Sequence, residues 1–214
     1  MNWAGFEEIE GREIAPGVGR WVAYHPEWKQ DVASVAIESG SGLVLVDPLL
    51  PGGTEGEAAL RGLAALGQPP AIVLTVFFHE RSAGEIADRI PGTTLWVEQD
   101  GVANVESPVT DPFRAGDRLP GGLVAFATAR ADEVVLWEPA SRSLIVGDVM
   151  LGRGPRGIEL CPDSWLPDGI GTSDLARSLL PLLDLPVERI LPGHGEPVVR
   201  EAPQRLKLLL EEAG

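Results

Sequence analysis

The sequence predicts an α/β protein in which two β-sheets pack face to face and helices cover their outer faces. The first half alternates strand and helix patterns, as parallel βαβ units require. The second half changes to strands joined by short polar turns, with helices at its end. The chain has 214 residues, 44% of them hydrophobic, which suits one domain with a sizeable core. We therefore expect a single domain over residues 1–214.

Strand patterns open the first half. Apolar runs predict three strands, with the sequences RWVAYHP, DVASVAIES and LVLVDP. A capping-box pattern at Thr54 and Glu57, followed by one apolar stripe, predicts the first helix. AIVLTVF predicts the next strand. A second capping box at Ser82 and Glu85 predicts the helix GEIADRI, and TTLWVEQ predicts the strand after it.

Short strands dominate the second half. Three are predicted, with the sequences GGLVAFATA, EVVLWEP and SLIVGDV. Residues 152–173 form a long stretch rich in glycine and proline, which predicts a lid or an ordered surface loop. DLARSLLPLL predicts a helix, ERILPGHGEPV a strand and turn, and QRLKLLLEE a terminal helix.

The net charge of −15 disfavours a nucleic-acid partner, because an acidic surface repels phosphate backbones. No apolar stretch approaches the roughly 20 residues that cross a bilayer, so no membrane partner is expected. The N-terminal residues lack the pattern of a secretory signal, and the single Cys161 cannot form an internal disulfide. These observations predict a cytoplasmic location. They give no oligomeric state.

Four segments occur in an order that resembles the metallo-β-lactamase fold superfamily. They are LVLVDP, TVFFHERSAGE, the pair Gly147-Asp148 after an apolar strand, and ILPGHGEP late in the chain. The resemblance extends from about residue 12 to the C-terminal helix. It implies an αββα four-layer sandwich with a metal site at one sheet edge. It also implies hydrolase chemistry that uses one or two zinc or iron ions.

The signature loop of that superfamily, His-x-His-x-Asp-His, is broken in this chain. In a register anchored on Ala83-Gly84, the four ligand positions are occupied by Phe77, His79, Arg81 and Ser82, so one of them keeps a histidine. In a register anchored on Thr75, they are occupied by Val76, Phe78, Glu80 and Arg81, and none keeps a histidine. We favour the first register because it keeps the FHE and AG segments in place. The middle histidine of the family is also lost, and Ala131 is its approximate counterpart.

The resemblance leaves at most three ligands for a metal ion: His79, Asp148 and His194. A second ion would have almost no ligands of its own. We therefore interpret the chain as a protein with a decayed dinuclear site, not a two-metal hydrolase. It would hold no cofactor and would bind an unknown small molecule or a protein partner in the old cleft. His79 is then a loop histidine with one face exposed.

Two alternatives stay open. In the first, the three remaining ligands hold one zinc or iron ion, and the protein hydrolyses an ester or thioester-like bond. In the second, catalysis needs no metal: His79 or Glu80 acts as a base and Arg81 binds an anion. Arg81 is also expected to pair with Asp148 in place of a metal ion.

Other residues are expected around the cleft. Asp47 is expected to bind loop backbone, and Phe78 to fill space vacated by the lost histidines and ions. Trp28 and Trp165 lie in loops with proline and aspartate nearby. We interpret them as packing of a lid, with an aromatic pair at the rim of a pocket as the alternative.

Overall fold

Two β-sheets face each other at the centre of the molecule, and a pair of helices covers the outside of each sheet. The computed structural model describes residues 11–154 and 157–214. The predicted αββα four-layer sandwich is thereby confirmed. The sequence prediction about an N-terminal signal falls on residues 1–10, which lie outside the described residues.

The first sheet has seven strands that lie side by side in chain order. They are β1 Gly11–Ala15, β2 Val18–His25, β3 Gln30–Ser39, β4 Gly42–Val46, β5 Ala71–Val73, β6 Thr94–Glu98 and β7 Asp111–Phe113. Strands β1 to β4 pair antiparallel, and β4 to β7 pair parallel. The parallel part needs crossovers, which are supplied in part by helices α1 Thr54–Ala65 and α2 Ala83–Arg89.

The second sheet has the strand order β13-β10-β9-β8. Its strands are β8 Val124–Ala127, β9 Val134–Glu138, β10 Ser143–Val146 and β13 Arg189–Pro192. A separate antiparallel pair consists of β11 Met150–Gly152 and β12 Ile158–Leu160. Helices α3 Thr172–Leu179 and α4 Ala202–Ala213 belong to this half. Strands β10 and β13 are parallel neighbours, so the loops that follow them emerge at the same edge of the sheet.

Three apolar clusters hold the layers together. The inter-sheet cluster joins residues of both sheets, among them Val46, Val73 and Leu136. A second cluster packs α1 and α2 on the first sheet, and a third packs α3 and α4 on the second. In α3 the buried residues Leu175 and Leu179 are spaced by one helical turn, so one face of the helix meets the core.

Three local predictions need correction. The strand AIVLTVF ends at Val73, because the chain then crosses to the second sheet, where Val76 bridges Glu133. Ser82 does not cap α2 with its side chain, because its hydroxyl accepts a hydrogen bond from the Leu50 N–H instead. The predicted lid over residues 152–173 contains strand β12. This strand was not predicted because three residues carry too short a pattern. Residues 155–156 of that segment lie outside the described residues.

Among the described residues, no helix combines the length and the apolar character that crossing a bilayer requires.

Candidate metal centre

Three buried side chains converge at one edge of the second sheet: His79, Asp148 and His194. One ligand atom from each lies within 4.8 Å of the others. Nε2 of His79 lies 3.2 Å from Oδ1 of Asp148, and Nε2 of His194 lies 3.0 Å from the same oxygen. Their exposed fractions are 0%, 7% and 9%, so bulk water scarcely reaches the group.

The fold itself brings these three residues together. Asp148 and His194 follow the parallel neighbours β10 and β13, and the Gly193 N–H donates to the Val146 carbonyl over 2.7 Å. His79 ends a single 3₁₀ turn after β5, and the bridge between Val76 and Glu133 directs that turn to the second sheet. Residues far apart in sequence therefore meet where loops from the two sheets come together.

Asp47 fixes the orientation of His79. Its Oδ2 lies 2.8 Å from Nδ1 of the histidine. The Thr75 backbone N–H donates to Oδ1 over 2.8 Å, and the Thr75 hydroxyl donates to Oδ2 over 2.5 Å. A carboxylate that accepts a hydrogen bond from Nδ1 places a proton there and leaves Nε2 facing Asp148, with a lone pair when the ring is neutral and a second N–H when it is protonated. A carboxylate behind a histidine in this way is typical of metal ligands.

The electrostatics of the group favour a positive charge within it. Burial and the Arg81 charge lower the pKa of His79, but the carboxylates of Asp47 and Asp148 outweigh them and raise it. Burial raises the pKa of Asp148, but the two histidines hold it well below its usual range. His79 Nε2 and Asp148 Oδ1 face each other over 3.2 Å, and with the ring neutral neither atom has a hydrogen-bond partner in the described part of the chain. Either a proton or a metal ion would complete this arrangement.

The donor set suits one metal ion of the zinc or iron type. Two imidazole nitrogens and one carboxylate oxygen are ordinary ligands for both metals. Ligand atoms at roughly 2.0–2.2 Å from a tetrahedral ion lie about 3.3–3.6 Å apart. The 3.0 and 3.2 Å separations at Asp148 are only slightly shorter. With the histidine nitrogens within 4.8 Å of each other, the donor types and these two separations are compatible with a single ion.

Aromatic rings cover the group. The Trp28 ring centre lies 5.8 Å from that of His79 and 6.4 Å from that of His194. The Trp165 ring centre lies 6.0 Å from that of His194, and Trp165 is otherwise exposed to solvent. Trp28 also borders an open cleft of about 590 Å³. Both loop tryptophans thus lie beside the group, but Trp28 lines the cleft and Trp165 is not among its lining residues.

A buried ion pair, Arg130 with Glu133, adjoins the group and was not predicted. Glu133 is 1% exposed, and its Oε1 accepts the backbone N–H groups of Asp148 and Val149 over 2.7 and 2.9 Å. Its Oε2 lies 3.4 Å from Nη1 of Arg130, whose guanidinium faces the Phe78 ring at 5.2 Å. Burial and then Asp148 raise the pKa of Glu133 to about 7, against the opposing Arg130 charge. Charged residues before an apolar strand resemble an ordinary turn, so no local signal could have found this pair.

Solved structures with the same architecture are numerous. A metallo-beta-lactamase family protein from Thermus thermophilus matches with a TM-score of 0.66 at 19% identity, over 94% of this chain and 80% of that chain. A metallo-beta-lactamase from Pontibacter korlensis matches at 0.68 and 18%, over 95% and 99%. FIM-1 from Pseudomonas aeruginosa, in its mono-zinc form, matches at 0.68 and 16%, over 96% of each chain. The chain has the metallo-β-lactamase fold. No protein-family model and no curated protein sequence matches it.

The residues that the preferred register assigns to the lost ligand positions make other contacts. Phe77 is half-buried and lines the cleft, and Ser82 holds the Leu50 backbone. Ala131 is exposed in the turn between β8 and β9, where it contributes no ligand. Of the positions in the preferred register, His79 alone points into the group. The expectation that His79 exposes one face is wrong, since the residue is fully buried.

Arg81 does not pair with Asp148, contrary to the sequence prediction. Its Nη1 donates to the backbone carbonyls of Ala33 and Asp47, both over 2.8 Å. Burial lowers the pKa of Arg81, although Asp47 and Asp148 oppose this. Arg81 and Asp47 both have positive φ, 46° and 48°. This backbone conformation is energetically unfavourable for residues other than glycine. The guanidinium therefore ties together two strained residues and leaves Asp148 to the histidines.

Glu80, the other candidate base, faces a different part of the loop region. Its carboxylate accepts the backbone N–H groups of Glu106 and Ser107 over 2.9 and 2.8 Å. The carboxylate is thus already engaged in anchoring a neighbouring loop. His79 remains the candidate base that lies within the group.

Proposed function

We propose that this protein has a decayed dinuclear site and binds a single zinc or iron ion through His79, Asp148 and His194. One observation carries the proposal. The ligand atoms of these residues converge within 4.8 Å of one another, and with a neutral His79 ring the buried atoms His79 Nε2 and Asp148 Oδ1 have no hydrogen-bond partner in the described chain. A bound ion would satisfy both atoms and offset the cost of burying them. The mono-zinc form of FIM-1 supports the idea that this fold accommodates one ion.

A second ion is disfavoured for two reasons. Within residues 11–154 and 157–214, one group alone offers three metal-ligating side chains in mutual reach. Arg81 also places a fixed positive charge beside the group, where low dielectric strengthens its repulsion of another cation. Both facts argue for a one-ion site.

The activity that we propose for such a centre is hydrolysis of a small ester or thioester. A bound zinc or iron ion supplies Lewis acidity and activates water. Asp47 would hold His79 in the ligating tautomer, and Glu133 would hold the backbone N–H groups of Asp148 and Val149. Trp28 and Trp165 would exclude bulk water from the group.

A second candidate function is binding of a small molecule without catalysis. The complete burial of His79 and the rings above the group favour it, because a substrate must displace side chains to reach an ion there. The two candidates share the metal site and differ only in turnover.

Metal content measured by plasma mass spectrometry tests the proposal. We expect about one zinc or iron ion per chain in untagged wild-type protein and almost none in His194→Ala. His25→Ala is the matched control, because His25 stacks on Trp28 at 4.1 Å and lies outside the ligand group. Two ions per chain, equal content in His194→Ala, or no ion even after incubation with zinc and iron would each refute the single-ion site.

Turnover is then tested on metal-loaded protein with p-nitrophenyl acetate and a short acyl thioester. Hydrolysis that disappears in His194→Ala supports the hydrolase. A loaded protein that hydrolyses neither compound leaves the binding function as the better account.

A further inference from the structure

Arg81 is a half-buried residue whose guanidinium leaves more than half of its hydrogen-bond donors unused. A guanidinium has five N–H groups. The two on Nη1 meet the carbonyls of Ala33 and Asp47. Nε and Nη2 are buried and have no hydrogen-bond partner among the residues that the structure describes. Buried donors on a charged group are costly to leave unpaired, so an acceptor from outside the chain is the expected partner.

The unused donors lie on the side of the guanidinium that suits a carboxylate. Nε and Nη2 form a planar fork whose two parallel N–H bonds match the two oxygens of a carboxylate. The other side is fixed by the backbone of β3 and of the loop after β4, through Ala33 and Asp47. The fork is therefore held in place and does not swing freely.

Arg81 lines the aromatic cleft described above. Trp28, Phe77 and Phe78 are its aromatic lining residues, and its volume is about 590 Å³. The guanidinium carbon lies 5.8 Å from the Trp28 ring centre. A guanidinium set among aromatic rings is typical of a site for a small organic molecule. Because the fork has almost no exposed surface, a ligand must move the half-buried Trp28 to reach it.

The charge around the cleft restricts the ligand further. Glu27, Glu80 and Glu106 also line it, and the chain as a whole carries −15. One guanidinium against this background can hold a single negative charge, but a dianion would meet net repulsion. A phosphate ester is accordingly disfavoured and a monocarboxylate is favoured.

We propose that this cleft binds a small aromatic monocarboxylate, whose carboxylate takes the Nε–Nη2 fork of Arg81 and whose ring packs against Trp28 and Phe78. The inference rests on the proposed function in that it names the ligand class of the same site. It assigns to Arg81 a binding role that is separate from the metal ligands.

The test uses three probes on chelator-treated, metal-free protein: phenylacetate, its neutral analogue phenylacetamide, and inorganic phosphate. Affinity is measured by titration calorimetry or ligand-observed NMR. We expect wild-type protein to bind phenylacetate at least about tenfold more tightly than phenylacetamide, since the fork pairs only with the charged probe. Phosphate should not compete.

Arg81→Lys is the informative variant, because lysine keeps a charge and a donor for the two carbonyls but lacks the fork. It should lose the preference for phenylacetate. Arg61→Lys is the matched control, since Arg61 is exposed on α1 and lines a different depression; it should keep the wild-type preference.

Equal affinity for the acid and the amide, or no binding of either, overturns the proposal in wild-type protein alone, even if Arg81→Lys fails to fold. An unchanged preference in folded Arg81→Lys also overturns it. Because the protein is metal-free, these results are independent of the single-ion site, so each proposal can fail without the other.

Discussion

Among the individual residues, Asp47 determines which nitrogen of His79 faces Asp148. Its carboxylate binds Nδ1 of the histidine and both the backbone and the hydroxyl of Thr75. The carboxylate is almost fully buried, at the end of β4, in a residue with positive φ. Such a costly placement is retained only where neighbouring groups hold it. We therefore expect Asp47 to hold the orientation of His79, the proposed metal ligand.

Asp47→Asn should weaken zinc binding by about 10–100-fold while the fold is retained, because the amide no longer supplies the negative charge that orients and polarises His79. Competition with a chromophoric chelator measures the affinity. Asp31→Asn, the same change on an exposed residue of β3, should leave it unaltered. Equal affinities in the two variants would contradict the role given to Asp47.

Glu133 should make the stability of the metal-free protein depend on pH. Its folded pKa is about 7 against an ordinary 4.5, so between these values the folded state binds more protons than the unfolded state. Stability then falls as pH rises through this window, by up to about 3 kcal/mol. Glu133→Gln binds no proton in either state and should remove this dependence.

Urea unfolding of metal-free protein at several values between pH 5 and 8 measures the effect. Glu55→Gln, on an exposed residue of α1, is the control and should follow the wild type. If Glu133→Gln runs parallel to the wild type over the whole range, the buried carboxyl does not titrate as stated.

Candidate site residues were easier to predict from the sequence than the contacts that they make. Asp148 and His194 stood out because each follows a strand in a recognisable segment, and the structure places both in the group. Arg81 was expected at Asp148, yet it binds two carbonyls. Glu133 was missed altogether. Those contacts depend on where two sheets meet, which local pattern does not encode.

Among the secondary-structure elements, the turn that carries His194 is held against β11 without room for a side chain. The Gly152 N–H donates to the His194 carbonyl over 2.8 Å. A Cβ on Gly152 would overlap the backbone oxygen of Glu196 and lie 2.6 Å from its nitrogen. Close backbone approach of this kind requires glycine.

Gly152→Ala should therefore destabilise the protein by about 2–3 kcal/mol, because the turn must move away from β11. It should also weaken zinc binding, since His194 moves with the turn. Denaturant unfolding and chelator competition measure the two effects. Gly40→Ala, where a Cβ meets nothing within 4 Å, should change stability by less than about 0.5 kcal/mol. A Gly152→Ala variant with unchanged stability and unchanged zinc affinity would contradict the close packing.

Helices and long strands were the elements that periodicity predicted well. Leu60 and Leu63 of the predicted stripe lie on the buried face of α1, whereas Ala64 is exposed, and DVASVAIES became β3 with a difference of one residue. Strand β5 was predicted too long and β12 was not predicted. Both have three residues, and their ends are set by partners distant in sequence. Short pairings of this kind have too little pattern to recognise.

In the molecule as a whole, the candidate centre lies where the two halves of the chain meet. His79 follows a strand of the first sheet, whereas Asp148 and His194 follow strands of the second. The inter-sheet cluster keeps these sheets in fixed relation, so the ligand spacing depends on the entire sandwich. The order of motifs along the chain was enough to predict this architecture. The single domain and the cytoplasmic location stay predictions.

One metal ion, and only one, should bind between His79, Asp148 and His194. An anomalous difference map at the zinc absorption edge, from crystals grown with excess zinc, shows directly whether it does. We predict one peak per chain in this region, in contact with His79 Nε2, His194 Nε2 and the Asp148 carboxylate. Two peaks there, or no peak within reach of these three residues, would contradict the single-ion site.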